Sequence, residues 1–144
     1  MVTYSIVIPT LNERDNIVEL LGQIGHCGLS NYEIIVADEN SPDGTADAVN
    51  AYAAAGHPEV RAVLNDGEPG LSPSIVKGFE TARGEILCCM DGDLQHDVGS
   101  LPGVLSEFNS GADFVIGSRY VKGGGFAEKW NPCRILISRT ATLM

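Results

Sequence analysis

The sequence predicts an α/β fold, a mainly parallel open sheet flanked by helices, and two observations carry that expectation. Short β-branched runs alternate with helical patterns of about 10–15 residues, the spacing of βαβ units. One apolar run, Ile86-Leu87-Cys88-Cys89-Met90, passes directly into Asp91-Gly92-Asp93-Leu94-Gln95-His96. Two carboxylates one residue apart therefore fall at the C-terminal edge of a strand, where open α/β sheets bind their ligands. With 144 residues the chain fits one domain, large enough to bury a core without disulfide staples.

The elements follow in order. Tyr4–Ile8 is a β-branched run stopped by Pro9, and 16–27 carries Ile17, Leu20, Leu21 and Ile24 at helical spacing. Glu33–Ala37 is the second strand. Ser41-Pro42-Asp43-Gly44-Thr45 supplies turn and cap chemistry before an Ala-rich helix to about Ala55, closed by Gly56 and Pro58. Val60–Leu64 is a third strand. Ser72 followed by Pro73 reads as a cap with Pro at the first helical position, opening a helix through about Ala82. Ile86–Met90 is expected as the central strand, Leu101–Asn109 as a helix, Asp113–Gly117 as a strand and Trp130 onward as a further helix. Repeats, low-complexity tracts and linkers are absent from the sequence.

Composition narrows the function classes. A hydrophobic share of 44% without any apolar run near the ~20 residues that a bilayer needs describes a globular chain. No signal peptide is expected before Tyr4. Cys27, Cys88, Cys89 and Cys133 lack C-x-x-C spacing and read as reduced thiols. The net charge of -10 is uneven: 18 acids face 4 bases over residues 1–117, while five bases face Glu128 alone from 118 onward. An acidic surface argues against nucleic acid, whose sequence-independent affinity comes from Lys and Arg on phosphates. The basic tail remains suited to one smaller anion.

The carboxylate pair suggests hard-cation chemistry. Mg²⁺ or Mn²⁺ takes carboxylate and amide oxygens, and Mg²⁺ typically uses one or two carboxylates plus substrate phosphates, which implies a nucleoside diphosphate. From these residues alone a helix-capping Asp stays open as the simpler reading. His96 reads as no metal ligand, since no second His or Cys stands at ligand spacing.

Five blocks carry a resemblance: Ile8-Pro9-Thr10-Leu11-Asn12-Glu13, 38–45, Gly70-Leu71-Ser72, 90–96 and 117–124. In that order they resemble family-2 glycosyltransferases, and within them the dolichol-phosphate mannosyltransferase or polyprenyl-phosphate glycosyltransferase group. The resemblance implies a GT-A fold, a nucleotide-sugar donor of the GDP-mannose or UDP-glucose type, Mg²⁺ or Mn²⁺, and a polyprenyl or dolichyl phosphate acceptor. Inverting hexose transfer is the expected reaction, and the expected location is cytoplasmic, at the cytoplasmic face of the membrane, with peripheral contact through the basic C-terminal part. The resemblance also implies that residues 1–144 are a single catalytic domain, C-terminally incomplete, since the chain stops at Met144 within a helical pattern.

By resemblance, Pro9, Leu11, Glu13, Asp38, Glu39, Asp91, Gly92, Asp93 and Gln95 bind the nucleotide sugar. Asp91, Asp93 and Gln95 hold the metal, and Asp91, Asp93 and Arg119 are catalytic. Arg119, Arg134 and Ser138 bind the acceptor phosphate. Glu39 stands where the family usually has a second Asp, and Asp97 where it often has Pro. Glu13 at the start of a helix also suits the positive end of the helix dipole. Gly123-Gly124-Gly125 reads either as a mobile loop over the donor or as an ordinary connection. Two other classes stay open: a family-2 enzyme with a hydroxyl acceptor, which needs a general base, and a non-enzymatic acidic metal-binding module.

Overall fold

A computed structural model describes residues 3–118 together with 120, 121 and 138. Four strands, β1 (Tyr4–Thr10), β2 (Tyr32–Asp38), β3 (Val60–Leu64) and β4 (Ile86–Cys89), alternate with helices α1 (Arg14–His26), α2 (Thr45–Ala54) and α3 (Leu71–Thr81). A 3-10 turn at Val98–Ser100, helix α4 (Leu101–Ser106) and a second 3-10 turn at Glu107–Ser110 follow. All strand pairs are parallel, in the order β3-β2-β1-β4. The chain winds outward from β1 through β2 to β3, then returns to place β4 on the other side of β1. That reversal creates a switch point between the C-terminal ends of β1 and β4, where such sheets form a crevice.

Strand alternation divides the core between two faces. Ile6, Ile8, Ile34 and Val36 meet Ile17, Leu20, Leu21 and Ile24 of α1, Val49 of α2, and Leu101 and Leu105 of α4. Val7, Ile35 and Ala37 form the opposite cluster, with Phe79 of α3 and Ala82 just beyond it. The approach of α3 is close enough that a Cβ on Gly78 would stand 2.4 Å from Val7 Cγ1. Burial of both faces explains why β1 and β2 read as continuous apolar runs rather than alternating ones.

Several elements differ from expectation. β1 continues through Pro9 to Thr10 instead of stopping at Pro9. The Glu39 N–H donates to the Thr10 carbonyl, so Thr10 bonds toward β2 and the alternate Pro9 faces β4. There the ladder has already closed at the pair Val7↔Cys89, so the missing Pro N–H breaks no rung. β4 is an edge strand among the described residues, not the central one. Gly70, at φ 132°, precedes α3, leaving Ser72 without a cap hydrogen bond and Pro73 at the third position, still within the first turn whose N–H groups lack helical partners. Residues 114–118 form no strand: Phe114 is 80% exposed and Ile116 74% exposed, without a ladder partner among the described residues. The pattern expected from Trp130 lies outside the described residues. Cys27, Cys88 and Cys89 are free thiols, and burial, with Cys89 beside it, pushes the Cys88 thiol up to about 11.

At the N-terminal edge of the sheet, Glu33 is fully buried. Its Oε1 accepts from Ser5 Oγ at 2.7 Å and the Arg83 N–H at 2.6 Å. Its Oε2 accepts from Arg61 Nη2 at 3.0 Å, Arg83 Nε at 3.0 Å and Arg83 Nη2 at 2.8 Å. Burial alone would raise its pKa, but these donors outweigh burial and hold the carboxyl down at about 2. Because the folded value lies below the ordinary 4.5, the unfolded chain binds the extra proton. The stabilisation, roughly 3 kcal/mol, is complete above about pH 4.5 and disappears as pH falls toward 2. Urea unfolding from pH 7 to pH 2 should show this loss in the wild type and not in Glu33→Gln, which should start less stable at pH 7.

Candidate active site

The site is assembled by three strand ends and the loops that leave them. At the top of β2 the buried Asp38 carboxylate accepts from Thr10 Oγ1 at 2.8 Å and from the Ser41 N–H and Oγ, each at 2.7 Å. The 41–45 loop is thereby folded against the start of α1. Three successive backbone N–H groups are captured: Asn12 by Ser41 Oγ at 2.9 Å, Glu13 by Thr45 Oγ1 at 3.1 Å and Arg14 by Asp43 Oδ2 at 3.1 Å. The Glu13 and Arg14 N–H groups are donors that a helix start leaves without intrahelical partners, here capped by a different segment of the chain. This capture accounts for α1 beginning at Arg14, two residues before the expected start. Asp43 also accepts from the Thr45 hydroxyl and N–H, and these bonds, the hydroxyl's first, hold its carboxyl below the usual range.

The result is a pocket of about 240 Å³ at the switch point, lined by Pro9, Thr10, Leu11, Glu13, Glu39, Leu71, Asp91, Gly92 and Asp93. Among the described residues four carboxylates line it and no base does. Glu39 Oε2 accepts from the Gly70 N–H at 3.0 Å, which brings the first residue of α3, Leu71, to the rim with 57% exposure. Glu13 Oε2 accepts from Asn16 Nδ2 at 2.8 Å. Gly92 is buried between the acids, and a Cβ there would lie 3.3 Å from Thr10 Cγ2. The Asp91 side chain is 60% exposed and lies 3.1 Å through Oδ2 from His96 Nε2. Asp93 Oδ1 accepts from the Gln95 N–H at 3.0 Å.

The structure thus brings together Pro9, Leu11, Glu13, Glu39, Asp91, Gly92 and Asp93. Asp38 lies beneath them, its carboxylate engaged with Thr10 and Ser41 rather than lining the pocket. Gln95 does not line it either; its backbone braces Asp93. Ser138 is helical and accepts a hydrogen bond from the Tyr120 hydroxyl. Arg119, Arg134, the glycines 123–125 and Trp130 lie outside the described residues. Sequence reasoning missed Thr10 and Leu71 in the pocket wall. A polar residue ending an apolar strand, and an exposed Leu after Gly70, were the available signals.

As a cation site the donor set fits a hard divalent ion. Among the described residues no three His, Cys, Asp or Glu side chains form a cage by themselves. Asp91 and Asp93 can offer oxygens that leave coordination places for a ligand's phosphates, which is the Mg²⁺-type arrangement.

Comparison with known proteins places this geometry. Residues 5–143 match glycosyl transferase family 2. The chain belongs to that family. Among curated relatives, the dolichol-phosphate mannosyltransferase of Pyrococcus furiosus is 41% identical over 142 residues, covering 97% of this chain and 39% of that protein. The Saccharomyces cerevisiae protein of the same name is 36% identical, covering 99% of this chain and 54% of its own length. A polyprenol monophosphomannose synthase of Mycolicibacterium smegmatis is 35% identical, over 94% and 52%. This family-2 chain therefore spans about two-fifths to just over half of the curated relatives it matches.

Among solved structures, the mannosyltransferase PcManGT of Pyrobaculum calidifontis, in complex with GDP-Man and Mn²⁺, is 28% identical with a TM-score of 0.61, over 71% of this chain and 31% of that one. Glucosyl-3-phosphoglycerate synthase of Mycobacterium tuberculosis, at 24% identity and TM-score 0.60 over 73% of this chain and 38% of its own, shares the fold. Both the expected parallel α/β sheet and the GT-A class are borne out.

Thr45 joins the two loops, since its hydroxyl accepts from Glu13 and donates to Asp43. Thr45→Val keeps the shape but leaves the Glu13 N–H without its acceptor. Urea unfolding should register a loss of about 1–3 kcal/mol, and Thr45→Ser should recover most of it.

Proposed function

We propose that this family-2 chain is part of a single catalytic domain, incomplete at its C-terminal side, that transfers a hexose, mannose first among candidates, from a nucleotide sugar to a polyprenyl or dolichyl phosphate. The observation that carries the reading is the acidic pocket at the switch point. A diphosphate meeting four carboxylates, with no base among the described lining residues, is repelled unless a divalent cation lies between them. Asp91 and Asp93 are the residues proposed to hold Mg²⁺ or Mn²⁺, with Gln95 as the third expected ligand. The names of the relatives and the GDP-Man and Mn²⁺ in a related structure support the same donor and metal class.

When bound, such a cation offsets the charge that grows on the departing diphosphate, worth several kcal/mol in a transition state. The chain's own residues do the rest. His96 restrains Asp91, and the Gln95 backbone restrains Asp93, so both carboxylates are oriented before the donor arrives. Glu39 and Glu13, with Pro9 and Leu11, form the wall assigned to the nucleoside, where an acid accepts from ring N–H groups. An acceptor phosphate is already ionised at neutral pH, so attack in line at the anomeric carbon requires no strong base and inverts the sugar. Arg119, Arg134 and Ser138 are the proposed acceptor cradle, because Arg forks suit phosphate oxygens. Among the described residues no helix is long and apolar enough to cross a membrane. Peripheral contact at the cytoplasmic face through the basic part is the corresponding proposal.

Calorimetry with GDP, UDP and ADP, each with and without Mn²⁺, tests the donor site. GDP or UDP should bind in a metal-dependent manner and more tightly than ADP, whose corresponding ring nitrogen carries no proton. Asp93→Ala should lose at least about tenfold of the metal-assisted affinity with an unchanged melting temperature. Equal affinity with and without metal in folded wild type would count against the assignment.

The acceptor assignment has a separate test in the full-length enzyme. Arg134→Ala should weaken use of a polyprenyl phosphate roughly ten- to a hundredfold and leave donor affinity unchanged, with Arg134→Lys only partly restored. Loss of donor affinity instead would move the basic segment to the nucleotide.

A further inference from the structure

Four non-glycine residues among those described have left-handed backbones: Asn12, Asn31, Asn40 and Leu94. Three are Asn, whose short polar side chain tolerates that region. Leu94 is the exception, at φ 61°, in a conformation where Gly would be expected. It stands between Asp93 and Gln95, the residues proposed to reach the cation. Its side chain is partly buried and packs against the main apolar cluster.

The backbone consequences are visible on both sides of Leu94. The chain bends back so that the Gln95 N–H reaches Asp93 Oδ1 at 3.0 Å, and the His96 ring reaches Asp91 Oδ2 at 3.1 Å, five residues away. Both carboxylates are thus tethered to the turn that Leu94 makes. A strained conformation persists only where surrounding structure over-determines it, and such residues cluster at functional sites. Here the surrounding structure includes the partly buried leucine side chain on the core and the two hydrogen bonds that close the turn.

We infer that Leu94 is a positioning residue for the cation site: the left-handed backbone at residue 94 is what presents Asp91 and Asp93 together, while the packing of its side chain on the core serves the fold. The inference rests on the reading of Asp91 and Asp93 given above. It separates two properties that a simple packing role would keep together. Leu94→Ile retains apolar volume but is β-branched, and β-branched residues are strongly disfavoured at positive φ. Leu94→Gly discards the packing but adopts positive φ about as readily as negative.

The test measures Mn²⁺ binding in the presence of GDP, by the electron paramagnetic resonance of free Mn²⁺, alongside thermal melting of the full-length protein. Leu94→Ile should lose about tenfold in Mn²⁺ affinity while losing less thermal stability than Leu94→Gly. Leu94→Gly should melt lower yet keep Mn²⁺ affinity within about threefold of wild type, since only a share of its backbone population is misplaced. Wild-type affinity in Leu94→Ile, or a loss in Leu94→Gly as large as that in Leu94→Ile, overturns the inference and leaves the donor-site reading standing. If wild type itself shows no Mn²⁺ binding that depends on GDP, the donor-site reading fails and the inference falls with it.

Discussion

The register between β1 and β2 is held at both ends by a hydroxyl bonded to a buried carboxylate, and the remaining structure depends on it. Ser5 is paired with Glu33 and Thr10 with Asp38, and in each pair the hydroxyl donates to the acid across the rung. The two rungs project to opposite faces, because five residues separate them and strand side chains alternate. A slip of one residue would break both bonds and exchange the faces of every core residue on the strand. A buried carboxylate without donors is costly, so these acids specify the register as much as they stabilise it.

Each rung then organises one end of the sheet. Glu33 gathers Arg61 and Arg83, tying β3 and the connection after α3 to the sheet. Asp38 gathers Ser41, and through it the loop that caps α1, where the pocket lies. The buried ion-pair network and the pocket therefore lie at opposite edges. The pocket edge carries a cost: Glu13, Glu39, Asp91 and Asp93 face one cavity with no base among the described residues of its wall. The helix start behind Glu13 offsets some of this charge. The remainder is a built-in preference for a cationic ligand.

Much of the fold was legible because its signals are local. Parallel strands covered on both faces appear as runs such as Ile34-Ile35-Val36-Ala37, and α1 announces itself through Ile17, Leu20, Leu21 and Ile24. The expectations that needed correction depend on neighbours. Pro9 ends a strand only if its N–H is needed, and the short reach of β4 removes that need. Ser72 resembles a cap, yet the conformation of Gly70 starts the helix earlier. Residues 113–117 have strand-like composition, but a strand exists only where a partner strand offers its backbone. Asp38 and Glu39 are adjacent acids, and nothing local tells that one will be consumed by the framework while the other faces the pocket.

The sequence by itself determined the order of strands and helices, the placement of Asp91 and Asp93 at a strand end, and the family to which the chain belongs, because those follow from periodicity, turn chemistry and short motifs. Only the tertiary structure decided which acids line the pocket and which are struts, that β4 stands at the sheet edge among the described residues, and that Leu94 is bent into a left-handed turn. The physical reason is that hydrogen-bond satisfaction and burial are properties of pairs distant in the chain. Thr10 and Asp38 stand 28 residues apart, and neither records the other's position in its own neighbourhood.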